Sequence, residues 1–125
     1  MACTYGAAAL LVVAAVMCCR AQGSGVCQPS DIDISLRTTG KVVEGQPEYL
    51  VTIANRCRCP QLDVRVRCLR LPSVEKVDES KIRAVDDELC LVAGGGPVVR
   101  GSPVEFTYAW KTPQSFTFVS ARPEC

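Results

Sequence analysis

Residues 55–68 read NRCRCPQLDVRVRC, and this stretch combines the two features that decide the fold of the chain. It holds three closely spaced cysteines, Cys57, Cys59 and Cys68. From Leu62 onward, apolar and polar residues alternate with a period of two, which is the pattern of a β-strand with one buried face. Cysteines in this setting predict a metal site, a redox centre or disulfide bonds in a secreted domain, and the rest of the sequence distinguishes these three.

The composition argues against metal and redox chemistry. The chain has 125 residues, nine cysteines and no histidine. Without histidine, neither a Ser-His-Asp or Cys-His catalytic group nor a mixed Cys/His zinc site can form. Cys57 and Cys59 are separated by one residue, whereas zinc knuckles and thioredoxin-type motifs need two. We therefore expect no metal, no cofactor and no enzymatic activity.

The N-terminus indicates the compartment. Residues 7–17 read AAALLVVAAVM, an unbroken apolar run of eleven residues. This run suits the core of a signal peptide and is too short for a membrane-spanning helix, which needs about 20 residues. The sequence predicts a signal peptide over residues 1–23, a single cysteine-rich domain over residues 24–125, secretion to the extracellular space (the apoplast) and no stable membrane insertion. With 14 basic and 13 acidic residues, the chain is not expected to bind nucleic acid.

Loss of the signal peptide removes three cysteines and leaves six: Cys27, Cys57, Cys59, Cys68, Cys90 and Cys125. An even number in a small secreted domain predicts three disulfides, although six cysteines allow fifteen pairings and the sequence does not choose among them. Cys57 and Cys59 share a face of an extended chain, so we expect them to pair with different distant partners. Cys68 has the parity of the buried residues, and its bridge is expected to cross the core.

Further runs along the chain alternate in the same way, for example DIDISLR (31–37), EYLVTIAN (48–55), VEFTYAW (104–110) and SFTFVS (115–120). Glycine- and proline-rich segments separate them. Regular strands with one polar face each predict an all-β fold, an antiparallel β-sandwich stapled by disulfides. One segment departs from this pattern: Ile82, Val85 and Leu89 recur at helical spacing, which predicts one short helix near residues 80–89 or a long ordered loop.

Several side chains allow both a functional and a structural interpretation. Tyr108 and Trp110 could form a platform for a sugar ring, but their parity with Val104 and Phe106 favours the core. The acidic residues 86–88 could bind calcium, yet no calcium-binding loop surrounds them, and a solvated charge run is favoured. Glycines 94–96 are expected to form a turn. Asn55 lies outside an ordinary sequon, so we expect no N-glycan.

Four blocks of sequence together resemble a known family. They are CQPSDIDI (27–34), GQPEYLVTIANRC (45–57), CLVAGGGPVVRGSPVEFTYAW (90–110) and the final Cys125. In order and spacing, they resemble the tapetum-determinant family of small secreted plant proteins, over essentially the whole segment from Cys27 to Cys125. The CRCPQ block and the YAW ending are closer to a broad, less-studied branch of that family.

The resemblance implies a function. Proteins of this family act as extracellular ligands that a leucine-rich-repeat receptor kinase perceives, and they direct cell fate in the developing anther. It implies that this chain is a receptor ligand and not an enzyme. The expected receptor contacts are Arg65, Arg67 and Arg70, with the acidic segment from Glu75 to Glu88 as a second surface; the alternative is that these charges are only solvated.

Two other classes of function remain open, because a fold does not determine a function. A cell-wall carbohydrate-binding module would need Trp110 or Tyr49 exposed on a flat face. A secreted inhibitor or defence protein would need a rigid exposed loop, for which VAGGGPVV (92–99) is the candidate.

Overall fold

The computed structural model describes residues 26–125, and the predicted signal peptide lies outside them. Seven strands make up the described fold: β1 (Ile32–Val43), β2 (Gln46–Asn55), β3 (Gln61–Arg67), β4 (Ile82–Ala84), β5 (Leu89–Val92), β6 (Val104–Ala109) and β7 (Thr117–Pro123). They form two sheets, which we call sheet A (order β1-β2-β6) and sheet B (order β4-β5-β3-β7), and every strand pair is antiparallel. The predicted all-β fold with two sheets is confirmed.

The inward faces follow the alternation of the sequence. On β2, Val51 and Ile53 are fully buried, and on β3 Val64 and Val66 are too. Tyr108 of β6 pairs with Tyr49 of β2, and their rings stack with centroids 5.3 Å apart. Since both sheets direct alternate apolar residues to one side, a single cluster of side chains forms the core between them.

The short helix predicted near residues 80–89 is wrong. Ile82 begins β4 and is fully buried, whereas Val85 is 38% exposed, so the two do not share a buried helical face. The Asp86 side chain accepts hydrogen bonds from the backbone N–H groups of Glu88 and Leu89. This local cap closes a β-hairpin in place of a helical turn. Among residues 26–125, no helix is long and apolar enough to cross a membrane.

Three disulfides connect the described cysteines: Cys27–Cys57, Cys59–Cys125 and Cys68–Cys90. As expected, Cys57 and Cys59 have different distant partners. The expectation for Cys68 is only half right: both sulfurs of its bridge are fully buried, but they join β5 to the end of β3 within sheet B. Each bridge closes a loop of 22 to 66 residues, which corresponds to about 3–4 kcal/mol of chain entropy.

A buried amide fixes the chain between the two sheets. The Asn55 side chain donates to the carbonyl oxygens of Cys59 (2.9 Å) and Val98 (2.8 Å). Its Oδ1 accepts from the Cys57 backbone N–H (2.9 Å) and from Nε2 of Gln61 (3.0 Å). We call these groups the Asn55 cluster. Because both donors and both acceptor positions of the Asn55 side chain are used, this cluster sets the path of the CRC segment from β2 into β3.

Candidate protein-interaction surface

The predicted contact residues on β3 lie on the outer face of sheet B. Val64 and Val66 point into the core, so the intervening Arg65 and Arg67 point outward; Arg65 is partly buried and Arg67 is exposed. The alternation of the strand is therefore sufficient to place these two arginines on one face.

Arg70 reaches the same region by an unusual backbone path. Leu69, Arg70 and Leu71 follow Cys68 and have φ angles of 46°, 72° and 47°. Three consecutive residues other than glycine in the left-handed region cost free energy, on the order of 1–2 kcal/mol each. The Cys68–Cys90 bridge and the hydrogen bond from Leu71 N–H to the Cys68 carbonyl (3.0 Å) hold the segment in place.

Arginines and acidic residues meet in one surface. Arg70 Nη2 lies 3.1 Å from Asp87 Oδ2, and Arg67 Nη1 lies 3.9 Å from Glu88 Oε1. All four side chains are at least half exposed, so these ion pairs add little stability. We expected a basic surface and a separate acidic one; the structure instead forms one mixed surface from Arg65, Arg67, Arg70 and residues 86–88, which we call the mixed-charge surface.

Asp86 is fixed by local hydrogen bonds within this surface. The backbone N–H groups of Glu88 and Leu89 hold the pKa of its carboxyl below the ordinary value, and the charge of Arg65 acts in the same direction. Asp86 therefore remains a fixed negative charge beside Arg65. Residues 86–88 are all exposed, in agreement with a solvated charge run.

Arg83 belongs beside the predicted arginines, and sequence reasoning missed it. Leu91 of β5 pairs with Arg65 on one side and with Arg83 of β4 on the other. Residues paired across a sheet point to the same face, and two strand spacings separate them by about 10 Å. The position of Arg83 follows from the register of sheet B, for which the sequence carries no local signal.

Glu75 does not belong to an outer acidic surface, contrary to expectation. The segment before it is pinned to β6, because the Val74 N–H donates to the Ala109 carbonyl (2.8 Å) and the Ala109 N–H donates to Ser73 Oγ (3.0 Å). This directs Glu75 toward the buried Glu48 of β2, and we call these two residues the carboxyl pair. Oε2 of Glu75 is buried and has no hydrogen-bond partner among the described residues.

The two members of the carboxyl pair have opposite pKa shifts. Burial raises the pKa of Glu75, and the neighbouring Glu48 carboxylate raises it further. The pKa of Glu48 is lowered, mainly because the Thr39 hydroxyl donates to it at 2.8 Å. Glu75 is therefore the member that holds a proton more tightly than usual.

The aromatic residues fit the core interpretation. Tyr108 is fully buried, its hydroxyl accepts a hydrogen bond from the Gln114 N–H (2.7 Å), and burial raises its pKa. Tyr49 is only 7% exposed, so it does not offer the flat sugar-binding face that a carbohydrate-binding module would need. Trp110 is partly buried against the core, with Lys111 Nζ 5.8 Å from its ring centroid.

Two further candidates, the VAGGGPVV loop and the cluster of three cysteines, have structural roles. In the VAGGGPVV segment, Val92 and Val98 are buried, and Val98 is tied to Gln61 by a backbone bridge, so the loop does not project as an inhibitory loop would. The sulfurs of Cys27, Cys57 and Cys59 lie within 4.8 Å of one another, which is the spacing of a metal site. Each of these sulfurs is bonded to another sulfur, and metal binding by cysteine requires thiolates.

Comparisons with known proteins agree with the sequence blocks. The family model described as Tapetum determinant 1, C-terminal, matches residues 28–125. TPD1 protein homolog 1 of Arabidopsis thaliana is 33% identical over 85 residues, which cover 66% of this chain and 48% of that protein. TPD1 protein homolog 1B of Oryza sativa subsp. japonica is 31% identical over 84 residues, covering 66% of this chain and 50% of the relative.

A second rice protein, TPD1 protein homolog 1A, is 30% identical over 92 residues, covering 67% of this chain and 41% of its own length. The chain thus matches about half the length of each of these curated relatives, or less. No solved structure matches this chain.

Proposed function

The chain belongs to the tapetum determinant 1 family, and from this premise we propose that it is a secreted protein ligand of a leucine-rich-repeat receptor kinase that controls cell fate in anther development. In this function it is a signalling protein and not an enzyme, and it acts in the apoplast after loss of residues 1–23. The observation that carries the proposal is the family match, which spans residues 28–125.

The disulfides support an extracellular site of action. All six cysteines of the described residues are paired, and such bridges persist in oxidising compartments. A ligand that diffuses between cells also benefits from a domain held by three covalent links, because a small core alone gives little stability.

The mixed-charge surface is the proposed receptor contact. Arg65, Arg67 and Arg70 lie together on it and remain at least partly accessible. Arginine presents several donors in a rigid fork, which suits recognition of carboxylates on a partner. Since Arg67 and Arg70 are already paired with Glu88 and Asp87, binding would exchange these weak pairs for pairs with the receptor, and Arg65 would contribute without such an exchange.

The experiment measures binding of the secreted, oxidised chain to the ectodomain of the receptor kinase that perceives tapetum-determinant proteins. A double variant, Arg65→Glu/Arg67→Glu, reverses two charges of the surface. We expect its affinity to fall at least tenfold, with the largest change in the association rate at low salt. The matched control is Arg37→Glu/Arg100→Glu, which makes the same charge change at exposed residues outside the mixed-charge surface and should bind like the wild type.

Each outcome is informative. Loss of binding in the surface variant alone supports both the ligand function and the contact. Equal binding by both variants would refute the contact and leave the ligand function in place. Absence of binding by folded wild-type protein would refute the proposal for that receptor.

A further inference from the structure

A groove runs along the outer edge of sheet B, between β4 and the segment that connects β3 to β4. Its volume is about 430 Å³, and eight residues line it: Arg70, Leu71, Lys76, Val77, Glu79, Ile82, Arg83 and Ala84. The lining includes four apolar side chains, of which Ile82 is fully buried. We call it the β4 groove.

The backbone of β4 offers free hydrogen-bonding groups to this groove. The Lys81 carbonyl accepts from Ala93 N–H (2.7 Å), and Val85 N–H donates to the Leu89 carbonyl (2.9 Å). Odd-numbered residues of this strand therefore bond to β5, and the backbone groups of Ile82 and Ala84 point away from the sheet.

Within the described part of the chain, only one of these outward groups has a partner. The Ile82 N–H donates to the Asp78 carbonyl at 3.2 Å. The Ile82 carbonyl and both backbone groups of Ala84 have no hydrogen-bond partner among residues 26–125. Because Ile82 is fully buried and Ala84 is exposed, only the two groups of Ala84 are accessible to a partner. The edge of sheet B is thus open at Ala84, beside an apolar floor formed by the partly exposed Leu71 and Val77, and an open strand edge is the geometry that accepts an added strand.

The charge of the groove selects the kind of strand. Three of its lining residues are cationic and one, Glu79, is anionic. Arg70 is paired with Asp87, but no ion-pair partner for Lys76 or Arg83 lies within the described part of the chain. Two unpaired cations flanking an open strand edge favour a peptide that carries carboxylates.

We infer that the β4 groove binds an extended acidic peptide segment of a partner protein, which adds to β4 as a further strand of sheet B. Its backbone would bond to the N–H and carbonyl groups of Ala84. Alternate side chains would enter the apolar floor, and the others would place carboxylates near Lys76 and Arg83. The inference rests on the proposed function in one respect only: we take the partner protein to be a component of the receptor complex.

A second copy of this chain fits the groove less well. Two copies pairing β4 with β4 would bring Lys76 and Arg83 of each copy close to the same cations of the other, and like charges across paired strands are destabilising. An acidic polysaccharide would satisfy the charges but would leave the Ala84 N–H without a strand partner.

The test uses the full secreted chain and three capped hexapeptides of alternating residues. The first alternates Glu and Val, the second alternates Lys and Val, and the third is the Glu/Val peptide with N-methyl groups on alternate amides. We expect the Glu/Val peptide to bind at least tenfold more tightly than either of the others. Amide hydrogen exchange at Ala84 should slow when it is bound.

Variants locate the site. Lys76→Glu/Arg83→Glu should weaken the Glu/Val peptide at least tenfold, and Arg37→Glu/Arg100→Glu should leave its affinity unchanged. Ala84→Pro removes the outward N–H without breaking a bond to β5, and it should also weaken binding. If this variant fails to fold, the N-methylated peptide still tests the same hydrogen bonds from the other side.

The proposal is overturned if the N-methylated peptide binds as well as the unmodified one, because strand addition would then be excluded. It is also overturned if an oligogalacturonate binds the groove and the Glu/Val peptide does not. Neither result depends on the receptor: a chain that binds the acidic peptide but does not bind the receptor ectodomain would support the groove and refute the proposed function for that receptor.

Discussion

Two buried polar clusters lie at opposite ends of β2 and differ in how fully their hydrogen bonds are satisfied. At the C-terminal end, all four hydrogen-bonding positions of the Asn55 side chain have partners. At the N-terminal end, Glu48 accepts from Thr39, but one oxygen of Glu75 is buried without a hydrogen-bond partner among residues 26–125. An amide carries both donors and acceptors at every pH, whereas a carboxyl gains a donor only when protonated.

The two clusters differ in how their contribution to stability depends on pH. The Asn55 cluster contains no group that titrates near neutrality, so its contribution to stability does not change with pH. Two carboxyls can share a hydrogen bond only when one of them is protonated, and the raised pKa of Glu75 makes it the member that keeps the proton to higher pH. The contribution of the carboxyl pair must therefore change with pH.

The largest effect is expected from Asn55→Ala. This change leaves the Cys57 N–H and the Gln61 amide without an acceptor and two carbonyls without a donor, all in a buried site. We expect the free energy of unfolding to fall by about 3–5 kcal/mol, measured by chemical denaturation of the oxidised protein. Thr52→Ala is the control, because the side chain of Thr52, on the same strand, makes only an exposed hydrogen bond to Glu105 among the described residues. A loss below about 1 kcal/mol for Asn55→Ala would contradict the structural importance of the cluster.

A smaller effect, and one that depends on pH, is expected from the carboxyl pair. Because the pKa of Glu75 is raised in the folded state, its contribution to stability is full below the ordinary pKa of 4.5 and is lost as the pH rises through the folded value. Glu75→Gln keeps a donor toward Glu48 at every pH. We expect this variant to be more stable than the wild type by about 1 kcal/mol at pH 8 and to match it near pH 4. A gain that is the same at both values would show that the proton on Glu75 is not involved.

The smallest effect is expected from Thr39→Val, which removes the hydroxyl donor to Glu48 and keeps the shape of the side chain. The pKa of Glu48 should then rise toward its ordinary value, because its largest lowering influence is gone. We expect a loss of stability of less than about 1 kcal/mol near neutral pH that disappears at low pH, followed by denaturation across the pH range. An unchanged pH profile would mean that Thr39 does not hold the charge of Glu48.

Much of the fold could be predicted from local patterns. The alternation in DVRVRC places Val64 and Val66 inside and Arg65 and Arg67 outside, as found. The same kind of reasoning wrongly predicted a short helix near residues 80–89, because the spacing of Ile82, Val85 and Leu89 matches the helical period by coincidence. The Asp86 side chain accepts hydrogen bonds from the backbone N–H groups of Glu88 and Leu89, and these bonds stabilise a turn there.

The candidate surface was predicted only in part, for a different reason. Arg83 and Arg65 are separated by seventeen intervening residues and become neighbours only through their common partner Leu91. Arg70 is placed by three residues with positive φ, none of which is a glycine that would have signalled the turn. The sequence places Glu75 in an acidic loop, whereas in the structure the hydrogen bonds of Ser73 and Val74 to Ala109 direct it inward.

The sequence by itself determined the period of the strands, the parity of the inward residues and the number of cysteines available for bridges. These properties depend on residues within one or two positions of each other, and the geometry of an extended chain fixes them. Three other features depend on the tertiary structure: which cysteines pair, which charges meet in the mixed-charge surface and which edge of sheet B remains open. Those outcomes depend on strand register and on contacts between distant segments. Many strand arrangements have similar local energies, so the free energy of the complete fold selects among them.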